Sequence, residues 1–253
     1  MNKKFIFLLL FILILISHTY AQFYKVYEYK TRAKNETEIA YWTSYVAKSD
    51  LTYSFFGKEV ERKGLWAHSA EIEYGITDRL TVAIYFDFED SSVDSLKYIQ
   101  AKTVFFRYRF AEKGSLFFDP ALYVEYNIPK KEYKDYNELE VRLILEKDIG
   151  SLSIRLNPIF EKKTSGANQS VEFNYAVGIY CRRCGPVLQP GIEFHGEMGE
   201  IGNFIPRKQQ RHVIFSTVDS RFGSGFHWHF AAGAGLTEAS DKLILKSIFS
   251  YKF

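Results

Sequence analysis

The sequence runs to 253 residues, 17% aromatic and 25% charged, with six prolines. Leaving out residues 1 to 21, which hold only Lys3 and Lys4, brings 33 basic residues down to 31 against 30 acidic ones, and charge so nearly balanced and evenly scattered excludes a nucleic-acid-binding class, which needs clustered basic residues. Mean hydropathy is below zero and no later segment is apolar over the roughly 20 residues a spanning helix needs, so a helical membrane protein is excluded as well.

The chain opens with Lys3 and Lys4, an apolar run from Phe5 to Ile16, and the small-residue stretch Ser17-His18-Thr19-Tyr20-Ala21. This is the pattern of a cleaved secretory signal peptide, so residues 1–21 are expected to be removed on export. No Cys follows the cleavage point, which argues against a lipoprotein. Residues 22–35 are expected to form an N-terminal periplasmic segment, and 36–253 a single β-domain.

From residue 36 onward apolar and polar residues alternate with period two. Leu80, Val82, Ile84, Phe86 and Phe88 fall on one side of a strand, and Thr81, Ala83, Tyr85 and Asp87 on the other. The pattern returns with Leu139, Val141, Leu143 and Leu145 against Glu138, Glu140, Arg142 and Glu146, and again with Leu152, Ile154, Leu156 and Phe160 against Ser153, Arg155, Asn157 and Glu161. It predicts twelve strands, near 36–47, 65–75, 79–89, 99–110, 115–127, 137–147, 150–162, 169–180, 186–197, 210–219, 225–234 and 242–253. The connections alternate between short and long, and both ends of the domain fall on the short-turn side.

A soluble β-sandwich also alternates, but its outer face is polar and its core mixes residue sizes. Here one face is rich in Phe, Tyr, Leu and Ile and the other carries charges in mid-strand, as a lipid-facing exterior and a wet interior require. The fold class is therefore all-β, a closed antiparallel transmembrane β-barrel of about twelve strands. Closure follows because an open edge in hydrocarbon would leave unpaired backbone groups. Trp66, Tyr74, Tyr108, Phe110, Tyr126, Phe194 and Trp228 are candidates for the interfacial girdles. Pro120, Pro158 and Pro190 lack the ladder N–H and are expected at bulges or near turns.

Three segments resemble known outer-membrane barrels. The last strand, Lys242 to Phe253, ends on an aromatic with Leu243, Leu245, Phe249, Tyr251 and Phe253 on one face, and is similar to the terminal signal read by the barrel-assembly machinery. Tyr74-Gly75-Ile76-Thr77-Asp78-Arg79-Leu80 resembles a periplasmic turn common in that class. Gly235-Leu236-Thr237-Glu238-Ala239-Ser240-Asp241 is similar to the closing loop of uncharacterised porin-like families, including transporters labelled for the MetA pathway of phenol degradation. The resemblance implies an outer-membrane channel or transporter in a Gram-negative bacterium, and its substrate does not carry over.

With the oily faces outward, the lumen receives Glu71, Glu73, Asp87, Arg107, Arg109, Asp119, Glu138, Glu140, Arg142, Arg155, Glu172, Glu193, His195, His227 and His229, together with Glu125, Glu146, Glu161 and Lys246. Acids outnumber bases. Such a lumen either passes small polar solutes with a preference set by its charges, or is filled by mutually paired charges that stabilise a narrow barrel. His227 and His229 share a face and, with Glu193 or His195, form a metal constellation too brief to carry a site, so neither a metal nor another cofactor is expected. A lipid-modifying Ser/His hydrolase using His227 and Ser250 is the rival class, without the local motifs of outer-membrane lipid hydrolases, and a purely structural or surface-interaction barrel is a third.

Cys181-Arg182-Arg183-Cys184 sits on a predicted short turn as a disulfide candidate, since one C-x-x-C lacks the second pair of a structural zinc site. The expected partners are outer-membrane lipid and lipopolysaccharide, the assembly machinery through Phe253, and a small-solute ligand. Lys58, Glu59, Glu61, Arg62, Lys63, Arg207 and Lys208, on the longest loops, are expected at the solvated surface, where lipopolysaccharide phosphate is a candidate contact.

Overall fold

Period-two alternation leaves each strand one oily and one polar face, and the chain satisfies both by closing its strands on themselves. The computed structural model describes residues 23–165, 169–185, 187–223 and 225–253; the expected signal peptide, residues 1–21, lies outside them. The strands are β1 (Thr37–Lys48), β2 (Thr52–Phe55), β3 (Lys58–Glu61), β4 (Trp66–Thr77), β5 (Leu80–Asp90), β6 (Lys97–Arg109), β7 (Asp119–Pro129), β8 (Glu138–Ile149), β9 (Leu152–Lys163), β10 (Val171–Cys181), β11 (Leu188–Glu200), β12 (Asn203–Phe204), β13 (Arg211–Phe222), β14 (Phe226–Gly235) and β15 (Leu243–Lys252).

Twelve of them make the barrel, each antiparallel to its neighbours, and β12 only extends the end of β11. The ring closes between β1 and β15, where Thr37 and Phe253 exchange two backbone hydrogen bonds of 3.0 Å. All twelve predicted strands are present. The hairpin β2–β3 was not predicted, because four-residue strands are too short for the alternation to register; Phe56 and Gly57, both at positive φ, make its turn.

The faces are as the alternation requires. In β5, Thr81, Ala83, Tyr85 and Asp87 are buried inside, while Ile84 and Phe86 are exposed. The exposed outer surface carries Ile39, Tyr41, Ile72, Phe105, Ile179, Ile192, Phe230 and Phe249, a continuous apolar belt of the kind a membrane covers. No helix among the described residues is long and apolar enough to cross a membrane.

Two expectations need correction. The register shifts fall at Val46/Lys48, Gly75/Thr77, Thr81/Ala83, Asp87/Phe88, Val104/Phe106 and Phe173/Asn174, none of them at a proline. Pro120 and Pro190 stand near turns at strand starts, as expected; only Pro158 departs, sitting in mid-strand, where β8–β9 pairing is interrupted between Arg142↔Ile159 and Leu145↔Leu156.

The larger correction concerns residues 22–35. Instead of lying in the periplasm, residues 23–32 thread the barrel: Tyr24, Val26, Tyr27, Tyr29 and Thr31 are buried against its inner wall. The segment runs from mid-barrel to the short-turn end, where Asn35 at φ 66° reverses the chain into β1. It leaves across Gly75, whose absent side chain is what allows the passage. A Cβ there would lie 1.9 Å from the Ala33 carbonyl oxygen.

Candidate functional site

A chain inside a barrel must find partners for its backbone without a strand ladder. Wall side chains supply them. Asn157 on β9 imitates a strand neighbour: its Oδ1 accepts the Tyr27 N–H at 2.7 Å and its Nδ2 donates to the Tyr27 carbonyl at 3.2 Å. Glu146 accepts from the Tyr29 N–H, Thr81 from Arg32 N–H and Asp78 from Lys34 N–H, while Arg142 and Lys246 donate to the carbonyls of Lys25 and Tyr24.

Charge complementarity adds to this. The segment carries Lys25, Lys30, Arg32 and Lys34 against Glu28 alone, and it enters a wall rich in carboxylates. Lys25 meets Glu71 at 3.7 Å; Arg32 pairs with Glu38 and, at 3.0 Å, with Glu73, which Arg107 also reaches at 2.9 Å. Glu28 receives Arg155 at 3.2 Å. In mid-barrel the Tyr27 hydroxyl lies 3.2 and 3.3 Å from those of Tyr85 and Tyr123, and the Arg142 guanidinium covers its ring at 4.5 Å. Tyr27 thus fills the waist.

The residues expected in the lumen lie inside the barrel or at its short-turn rim. Glu71, Glu73, Asp87, Arg107, Asp119, Glu138, Glu140, Arg142, Glu193, His195 and His229 are buried; Arg109, Arg155, Glu172 and His227 are partly so. They fall into separate groups. Asp87 holds Lys102 at 3.3 Å, Arg142 pairs with Glu140 at 2.9 Å, and Arg109 binds Glu112 at the rim. Glu193 gathers Lys246 at 2.5 Å and a His195 ring nitrogen at 2.9 Å, and Asp219 takes ring nitrogens of His227 at 2.9 Å and His229 at 3.2 Å. Among the described residues no group of three or more His, Cys, Asp or Glu side chains is arranged to hold a metal ion. Ser250 is the register partner of His227, but among the described residues no hydrogen bond joins them, and His227 is turned to Asp219.

The segment divides the lumen into two cavities. Toward the long loops lies one of about 640 Å³, bordered by Lys25, Lys102, Glu125, Asn127, Glu138, Glu140, Glu161, Glu172, Asn174 and several tyrosines. Toward the short turns lies one of about 170 Å³, bordered by Glu28, Arg32, Arg107, Arg155, Glu193, Asp219, Arg221 and Lys246. Sequence reasoning missed Tyr24, Tyr27, Tyr29 and Asn157. The available signal was the basic excess of residues 22–35 beside a predicted acidic lumen.

The loop ends are equally specific. Cys181 and Cys184 are disulfide-bonded at the short-turn end. At the other end β2–β3 folds against the wall, burying Tyr53, Phe55 and Val60 with Val46, Leu65, Ile99 and Tyr133. Arg62, expected at the solvated surface, is buried: its Nε and Nη2 donate to the Asp241 carboxylate at 2.8–3.1 Å. Burial alone would raise the Asp241 pKa, but the Arg62 hydrogen bonds and charge outweigh it and hold the carboxyl below its ordinary value. Lys58, Glu59, Glu61, Lys63, Arg207 and Lys208 are exposed.

No family model and no curated protein matches the sequence. Among solved structures the barrel is similar to an outer membrane channel from Pseudomonas putida F1, with a TM-score of 0.60 at 14% identity over 89% of this chain and 98% of that one. It is also similar to the KdgM porin in complex with disordered oligogalacturonate, with a TM-score of 0.55 at 9% identity over 85% of this chain and 99% of that one. At such identities the likeness is one of fold, and the fold of this chain is the closed twelve-stranded barrel of outer-membrane channels and porins.

Proposed function

We propose that the protein is a bacterial outer-membrane channel for small polar solutes, held closed by residues 23–35, with no solute assigned. The observation that carries the reading is a charged lumen containing a cavity of about 640 Å³, blocked at the waist by a segment that wall side chains hold in place of a strand ladder. Side-chain hydrogen bonds and ion pairs are reversible ties, so the segment can be displaced without breaking the barrel. The apolar belt supports the membrane location, and the barrels it is similar to include a named channel and a named porin. The reading is non-enzymatic: His227 faces Asp219 in place of Ser250. Lipopolysaccharide at the exposed loop cations and the assembly machinery at the exposed Phe253 complete the proposal as partners.

Planar-bilayer recordings test it. The full-length protein is expected to show small or intermittent currents, and a variant lacking residues 23–32 a large steady conductance. No current from the folded deletion variant would overturn the channel reading.

A further inference from the structure

Residues 22–35 contain one acid, Glu28, among four bases. It sits where two guanidiniums of the wall converge. Arg155 on β9 and Arg221 on β13 both bring Nη2 to the same Glu28 oxygen, Oε2, at 3.2 and 3.8 Å. Strands β10 and β11 lie between β9 and β13, so the two side chains reach one point in the lumen from separate parts of the wall.

Arg155 is held in place by the wall and not by Glu28 alone. The Tyr180 ring on β10 lies against its guanidinium, 4.4 Å from centroid to Cζ. The ring has room because Gly178 and Gly191 carry no side chain: a Cβ on either would stand 2.5 Å from it. The Tyr180 hydroxyl donates to Glu193 at 2.8 Å, which fixes the ring in turn. Stacking of this kind orients a guanidinium and leaves its edge for an anion. Arg155 Nε lies 3.4 Å from Glu146, and Nη2 is left to Glu28. The Arg221 side chain is 59% exposed and meets no carboxylate other than Glu28 among the described residues.

The other acids nearby are committed elsewhere, Asp219 to His227 and His229, and Glu193 to Lys246 and His195. Glu28 and both arginines border the short-turn cavity of about 170 Å³, where eight Lys or Arg stand against four carboxylates. Glu28 does not cancel that surplus. Its reach toward Arg221 is set by the backbone on either side, which Asn157 fixes at Tyr27 and Glu146 at Tyr29. A carboxylate free of the chain is under no such constraint and can settle between the two guanidiniums.

We propose that Arg155 and Arg221 form a binding site for the carboxylate of a small anionic solute, a site that Glu28 occupies in the solute's absence. Solute and segment compete for the same two guanidiniums, so each weakens the hold of the other. The tether gives Glu28 a high local concentration, which the solute has to match. The site deepens the channel reading by giving its ligand a chemical class, yet binding is read without conduction.

Ligand-observed NMR titration of the full-length protein in non-ionic detergent with propionate at low salt is the test. Glu28→Ala vacates the site and is expected to bind propionate about tenfold more tightly than the wild type, because the internal competitor is gone. Adding Arg221→Gln to Glu28→Ala is expected to weaken binding about fivefold by removing one charge-assisted contact. Propionamide, the neutral isostere, is expected not to bind, and Glu161→Gln, at the far end of the lumen, to match the wild type. Circular dichroism and heat-modifiable gel mobility establish that each variant is folded; Glu28→Gln, which keeps the side chain's shape, replaces Glu28→Ala if the latter is not. Equal affinity of the wild type and the folded Glu28 variant, undiminished binding after Arg221→Gln, or comparable binding of propionamide overturns the site. Propionate bound in this order by a barrel that never conducts, with or without residues 23–32, would sink the channel reading and leave the site standing.

Discussion

The two halves of the lumen are built from the same twelve strands and treat their carboxylates in opposite ways. At the short-turn end the inserted segment brings its own bases, so Glu71, Glu73 and Glu146 are consumed by Lys25, Arg32 and the Tyr29 N–H, and the small cavity left there is bordered by eight Lys or Arg against four carboxylates. At the long-loop end the segment contributes only Lys25, and the larger cavity is bordered by seven carboxylates against six Lys or Arg. The contrast separates carboxylates tied to the segment from carboxylates tied to the wall itself, Glu138 to Lys134, Glu140 to Arg142, Glu172 to Lys163 and Glu197 to Arg211. Charge in the first half is bound up in docking the segment, and in the second half in pairs within the wall, which leave Glu161 without an ion pair among the described residues.

The largest effect expected to expose that contrast is at Glu146. Its carboxylate accepts from the Tyr29 N–H and meets Lys113 at 2.9 Å, Arg155 at 3.4 Å and Arg182, so one side chain ties the segment, the wall and two turns together. Glu146→Ala removes three ion pairs and leaves the buried Tyr29 N–H without its acceptor, and is expected to cost about 3–5 kcal/mol in all. A lowered unfolding temperature in detergent, with faster proteolysis of residues 23–35, checks it; unchanged values would mean the short-turn half does not depend on these pairs.

The long-loop rim has a tie of that kind in Arg62 with Asp241, and removing Arg62 is expected to cost about 3 kcal/mol by leaving a buried carboxylate without its guanidinium. Its pH dependence has a definite sign. Because the Asp241 pKa is lower in the folded protein, the pair's stabilisation is fully present above the ordinary aspartate range and is lost only as pH falls through the depressed value. Stability of the wild type is therefore expected to fall more steeply than that of Asp241→Asn below the ordinary aspartate pKa. Parallel pH profiles would contradict this.

What the sequence discloses follows from which forces leave a local pattern. Alternation in every barrel strand reflects lipid on one side and enclosed polarity on the other, a constraint repeated at each residue, so the strands and the inward set from Glu71 to His229 are legible. Residues 23–32 obey no such period, because side chains at irregular spacing, Asn157, Glu146 and Thr81 among them, satisfy their backbone. Arg62 reads as a loop cation, since its partner lies 179 positions away. The row Glu125, Glu140, Glu161 and Glu172, opposed across β7 to β10, was present as single glutamates on separate strands, and only register aligns them.

Gly75 offers a gentler probe of the segment. In the sequence it resembles part of a turn motif; in the barrel it is where Ala33 crosses β4. Gly75→Ala is expected to cost about 1–3 kcal/mol by overpacking, concentrated on the exit of the segment and not on the ladder. Spin labels reporting on residue 30 should show increased mobility while the unfolding temperature of the barrel changes little. A rigid label would mean the crossing strand gives way instead.

The smallest expected effect has the opposite sign. Glu161 has like charges on both register partners and no ion pair among the described residues, so Glu161→Gln removes repulsion without breaking a contact. It is expected to raise stability by about 0.2–1 kcal/mol, where the equally conservative Glu146→Gln at the other end lowers it. Increasing salt should shrink the gain as the row is screened. If Glu161→Gln were instead destabilising at low salt, the row would be a structural device like its counterparts near the short turns, and the two halves of the lumen would not differ in kind.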